Sequence, residues 1–108
     1  MKTLGCFING KHELNNLNEI ISVKNPYDEQ IKYKVEESSF SQIESALNFG
    51  YKSFKSGIWS NLDVRDRSEV LNNAAALIEK NLEELVKIEV NQIGRPIREM
   101  RAQLGRLS

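Results

Sequence analysis

Between residues 64 and 93, apolar side chains return at Leu71, Ala74, Ala75, Ile78, Leu82, Leu85 and Ile88, the three-and-four spacing that lines one face of a helix. Asp63 stands where an N-cap belongs. The stop lies at Gly94, suited to the left-handed position after a helix, and at Pro96, which cannot continue one. An unbroken helix of that length would reach roughly 45 Å, more than a compact domain of this size spans. A bend is therefore predicted at Asn81, where Asn81-Leu82-Glu83-Glu84 has the form of a second N-cap with Glu84 at N3.

The same periodicity marks a helix on either side. Ser39 with Gln42 at N3 makes a capping-box pattern, followed by Ile43, Ala46, Leu47, Gly50 and Phe54 along one face. Pro96, placed at N1, opens a segment carrying Ile97, Met100, Leu104 and Leu107. Leu107 keeps this register beyond Gly105, as expected of a helix that is cut off rather than finished.

Residues 1–37 follow a period of two. Gly5-Cys6-Phe7-Ile8 and Lys11-His12-Glu13-Leu14 flank Asn9-Gly10, a pair that tolerates the positive φ of a type I′ hairpin turn. Ile20-Ile21-Ser22-Val23 and Ile31-Lys32-Tyr33-Lys34-Val35 flank Asn25-Pro26-Tyr27-Asp28, with Pro26 presetting one turn dihedral and Asp28 able to bond back to the backbone. The expected class is α+β: two N-terminal β-hairpins over residues 1–37, then three helical segments over 38–108, together an incomplete single domain.

Composition narrows the function classes. With 40% hydrophobic and 28% charged residues the chain is ordinary for a globular protein, and fifteen basic residues offset fifteen acidic ones, so no global field draws nucleic acid or an anionic membrane. The longest apolar run, Ala74 to Ile78, is far short of a membrane span. With one cysteine and no apolar leader, the expected compartment is the cytoplasm. From Gly94 onward four arginines (Arg95, Arg98, Arg101, Arg106) face one acid, Glu99. Lacking interleaved aromatics for base stacking, this stripe is expected to be a solvated or ion-paired helix face rather than a nucleic-acid site.

Candidate chemistry is sparse. The only cysteine, Cys6, and the only histidine, His12, share a hairpin whose register sets Cys6 against Glu13 and Phe7 against His12, which does not favour a Cys-His dyad. One Cys and one His cannot supply a metal cluster, and none of the six glycines forms G-x-G. Glu36-Glu37 and Glu83-Glu84 fall in polar stretches where solvation is expected. No catalytic, cofactor-binding or metal-ligating residue is assigned.

Several pieces nevertheless occur in a distinctive order: Phe7-Ile8-Asn9-Gly10-Lys11, Asn25-Pro26-Tyr27-Asp28, Ser39 with Ile43 and Ala46, Gly57-Ile58-Trp59-Ser60-Asn61-Leu62, Arg67 with Leu71 and Ala75, and Gly94-Arg95-Pro96-Ile97. In order and spacing they resemble the N-terminal portion of the aldehyde dehydrogenase superfamily, over nearly the whole chain. The resemblance implies oxidation of an aldehyde to a carboxylic acid with NAD or NADP, and places these residues in the outer part of an α/β cofactor-binding domain. It also implies that the nucleophilic cysteine, the oxyanion-binding asparagine, the glutamate base and the nucleotide loop belong to sequence beyond the position matched by Ser108. No bound cofactor and no activity are then expected of these residues alone. The expected partners are the remainder of the enzyme or a homo-oligomer of the full-length form; the alternative is a stand-alone helical module that binds another protein chain. Glu29 departs from the family's usual glycine, Lys32 from an apolar residue and Val64 from a frequent proline.

Overall fold

In the computed structural model, which describes residues 1–108, Asn9 and Gly10 hold φ of 50° and 74°. These values turn β2 (Cys6–Ile8) back onto β3 (Lys11–Glu13), with Cys6 opposite Glu13, Phe7 opposite His12 and Ile8 opposite Lys11. The second hairpin joins β4 (Ile20–Lys24) to β5 (Ile31–Glu36). In its turn the Asn25 side chain accepts from the Tyr27 N–H at 2.8 Å and the Asp28 carboxylate from the Gln30 N–H at 3.0 Å. Glu29 sits at φ 58°. A left-handed residue at this point explains why glycine suits it, and why a glutamate there carries strain.

One strand was not anticipated. β1 (Thr3–Leu4) pairs in parallel with β5, Thr3 beside Lys34 and Leu4 beside Val35, giving the sheet order β1-β5-β4. Two residues are too few to show a period in sequence.

There are four helices rather than three helical segments: α1 (Phe40–Ser56), α2 (Val64–Lys80), α3 (Leu82–Ile93) and α4 (Ile97–Gly105). The Ser39/Gln42 capping box closes the start of α1, and Asp63 caps α2 by accepting from the Arg65 N–H. Gly57 and Gly94 end α1 and α3 in the left-handed conformation. The predicted bend is a full break at Asn81, by a different device. The Asn81 amide donates backward to the Leu77 carbonyl at 2.8 Å and makes no N-cap bond to α3. Asn81 therefore serves the last turn of α2. Pro96 occupies the N-cap of α4 rather than N1, and Gly105 lies inside α4, which Arg106 terminates with right-handed geometry.

The chain forms two compact units, Met1–Val23 with Ile31–Asn61, and Lys24–Gln30 with Leu62–Ser108. In the first, Glu36 is buried rather than solvated. Its two carboxylate oxygens accept from the Asn15 and Asn16 N–H groups, each at 2.6 Å. The Asn15 side chain extends this knot, donating to the Glu37 carbonyl and to Gln42 Oε1 at 2.9 Å each, and accepting from Leu17 and Asn18. In the second unit α3 packs on α4, burying Val86 and Met100.

Ile8, Val86 and Met100 are the buried apolar residues. The accessible surface is 8772 Å². A globular protein of 12.4 kDa exposes about 6,100 Å², and even two separate proteins of half that mass expose about 7,400 Å² together. Large apolar side chains, among them Phe40, Leu47 and Phe54, are part of that exposed surface.

Candidate functional site

An uncovered apolar face runs along α1. Phe40, Ile43, Leu47, Gly50 and Phe54 follow spacings of three, four, three and four, which keeps them on one narrow stripe. Phe40 is 83% exposed, Leu47 70% and Phe54 74%. Beside the stripe runs a groove of about 320 Å³ between α1 and the β2–β3 hairpin, with Phe7, Ile8, Ile43, Ala46 and Leu47 on its walls. A Cβ built on Gly50 would meet nothing within 4 Å. Ile43, Ala46, Leu47, Gly50 and Phe54 are the face the sequence pattern gave; Phe40 was overlooked because it directly follows the cap.

The second unit has an apolar hollow of its own, about 420 Å³, lined by Tyr27, Val90, Gly94, Pro96 and Ile97 among others. Tyr27 is 92% exposed. Gly94 is fixed there twice over, by φ 68° and because an added Cβ would lie 2.5 Å from Pro26 Cγ. The buried Asn25 amide reaches Asn91 Oδ1 at 3.4 Å.

The Cys6 thiol donates to the Glu13 carbonyl at 3.7 Å, and the His12 ring lies 4.9 Å from that of Phe7, so the register separates thiol from imidazole. No group of three or more His, Cys, Asp and Glu residues gathers as metal donors, and no helix is long and apolar enough to cross a membrane. Gly10, Gly57 and Gly94 are committed to a turn and two helix ends, and the start of α1 is closed by its own capping box.

Two of the four arginines of the last segment, Arg95 and Arg101, are drawn into pairs. Arg101 donates to both oxygens of Glu83 at 2.8 and 2.9 Å, a bidentate tie between α4 and α3. The hydrogen bond from Arg101 holds the Glu83 carboxyl below its usual range and raises the guanidinium in turn. Arg95 bonds to Gln103 and lies 3.8 Å from Glu99.

Comparison with known proteins identifies the architecture. The model of the aldehyde dehydrogenase family matches residues 13–108. A probable methylmalonate-semialdehyde/malonate-semialdehyde dehydrogenase of Drosophila melanogaster is 32% identical over 95 residues, covering 88% of this chain and 18% of the fly protein. Betaine aldehyde dehydrogenase of Vibrio vulnificus is 30% identical over 101 residues, 92% of this chain and 20% of that one. Among solved structures, a point mutant of betaine aldehyde dehydrogenase from Staphylococcus aureus in complex with NAD+ superposes with a TM-score of 0.82 at 26% identity, covering 91% of this chain and 20% of that chain. The chain thus spans about a fifth of the length of these relatives. With its α+β elements reproduced in that fold and nearly all of its residues matched, the chain belongs to the aldehyde dehydrogenase family, as an N-terminal portion of it.

Proposed function

We propose that residues 1–108 form the outer, N-terminal part of the cofactor-binding domain of a cytoplasmic aldehyde dehydrogenase, one that oxidises an aldehyde to a carboxylic acid with NAD+ or NADP+ and works as a homo-oligomer in its full-length form. We propose further that these residues are inactive alone. The observation that carries this proposal is the uncovered α1 face within a chain similar to a fifth of each dehydrogenase. Apolar surface on that scale has the character of an interior awaiting its other half. The NAD+ complex of the Staphylococcus aureus relative supports the choice of cofactor, and the single free thiol of Cys6 supports a reducing compartment.

Inactivity follows from the chemistry of aldehyde oxidation. Rate enhancement requires groups that bind the transition state more tightly than the substrate, above all a nucleophile and donors to the developing oxyanion. Here the one thiol donates to the Glu13 backbone carbonyl, and the one imidazole, His12, pairs with Phe7 instead. Absorbance at 340 nm during incubation of the purified chain with NAD+ or NADP+ and a panel of aldehydes tests the proposal. No reduced cofactor above the protein-free rate is expected; turnover removed by Cys6→Ser would overturn the proposed inactivity. Fractionation of cells producing the protein tests the compartment, and recovery outside the cytoplasm would contradict it.

A further inference from the structure

We propose that Asn9-Gly10 is a site of spontaneous covalent modification, where the backbone nitrogen of Gly10 converts the Asn9 carboxamide to a carboxylate and the β2–β3 hairpin loses its register. The inference goes beyond the proposed function and uses no residue of the α1 stripe.

The chemistry needs a backbone nitrogen able to reach the side chain that precedes it. The Gly10 nitrogen attacks Asn9 Cγ: the N–Cγ bond forms, the Cγ–Nδ2 bond breaks, and ammonia leaves with the proton of the attacking amide. Water then opens the five-membered imide, with no change of oxidation state. Breaking the bond from nitrogen to Cγ gives aspartate. Breaking the bond from nitrogen to the main-chain carbonyl carbon gives isoaspartate, whose main chain runs through Cβ and Cγ.

Of the asparagines, Asn9 alone precedes glycine, and a residue without Cβ leaves the attacking nitrogen unhindered. Both turn residues are exposed, and a Cβ built on Gly10 would meet nothing within 4 Å. No hydrogen bond occupies the Asn9 carboxamide or the Gly10 N–H. By contrast, the side chains of Asn15, Asn25 and Asn81 are held in hydrogen bonds, and Pro26 leaves no N–H after Asn25. Ring closure also needs the turn to open. Strands β2 and β3, of three residues each, form a two-stranded sheet of their own, an arrangement of marginal stability that opens locally at little cost.

The two products differ in effect. Asp-Gly suits a type I′ turn as Asn-Gly does, so aspartate keeps the register and adds a negative charge. Isoaspartate puts an extra main-chain atom into a two-residue turn. Phe7 then no longer falls opposite His12, and Ile8, buried on the strand that packs on α1, no longer falls opposite Lys11.

Incubation of the purified chain at mildly alkaline pH, followed by peptide mass spectrometry, tests the site. The mass gain of replacing an amide nitrogen by oxygen is expected at Asn9 at least about tenfold faster than at any other asparagine, the factor given by a barrier about 1.4 kcal/mol lower. Endoproteinase Asp-N, which cuts before aspartate but not isoaspartate, separates the products. The NMR contact between the Phe7 and His12 rings, 4.9 Å apart, is expected to be lost in the isoaspartyl fraction and kept in Asn9→Asp. Modification of Asn9 no faster than of other asparagines overturns the site. Aspartate as the sole product, or an isoaspartyl fraction that keeps the Phe7–His12 contact, overturns the loss of register.

Discussion

The two units are held by opposite means. In the first, the buried Glu36 accepts two backbone N–H groups from a loop twenty residues away in sequence, and Asn15 ties that loop to the start of α1. In the second, Val86 and Met100 close an apolar contact between α3 and α4, and the charged pair Glu83–Arg101 lies outside in water. Where a polar group is buried, removing its partner leaves unsatisfied donors; where it is exposed, water replaces the partner at once. A carboxylate of the same type thus organises one unit and only decorates the other.

Substitutions sharpen this contrast. Glu36→Ala is expected to have the largest effect, a loss of about 2–4 kcal/mol because two part-buried N–H groups lose a charged acceptor. Glu36→Gln, which keeps one acceptor oxygen, should fall between it and the parent in urea titrations. Val86→Ala removes two methyl groups from the best-buried side chain of the second unit and should cost about 2 kcal/mol. A smaller effect of Glu36→Ala than of Val86→Ala would break the comparison.

Glu29→Gly acts in the other direction. Relief of left-handed strain at φ 58° should stabilise the chain by about 1 kcal/mol, visible as a higher thermal midpoint. An unchanged or lower midpoint would show that the turn tolerates Glu29 without strain. Arg101→Ala should have the smallest effect, a change in midpoint near the limit of detection, since both partners are solvated. Its pH signature has a fixed sign. The Glu83 carboxyl is lowered in the folded chain, so the stabilisation from this pair is present above the ordinary glutamate range and is lost as pH falls through the lowered folded value. Arg101→Ala should remove that component of the acid-side slope and leave neutral pH almost untouched.

What could be read along the chain was what neighbouring residues decide among themselves. The Asn9-Gly10 turn fixed the Phe7–His12 register, and Ser39 with Gln42, Asp63 and Gly94 fixed helix ends, because each device acts within a few residues. Partners distant in sequence left no such trace. Glu36 looked like one of two solvated acids until β5 carried it beneath Asn15 and Asn16, and the parallel pairing of Thr3–Leu4 with β5 joins residues about thirty apart. Asn81 has the composition of a forward cap, yet its amide turns back to the Leu77 carbonyl, one of the unpaired carbonyls that end a helix. The α1 stripe was legible from Ile43 to Phe54, whereas the fact that it stays uncovered depends on the rest of the chain and is visible only in the fold.

That uncovered apolar surface is the centre of the account, and the fluorescence of the dye ANS with dilute native chain, followed through a urea titration, tests it most directly. Bright emission in native buffer that fades as the helical signal is lost would match a folded chain presenting its α1 stripe to solvent. Folded chain that leaves ANS emission at its level in buffer alone would contradict it.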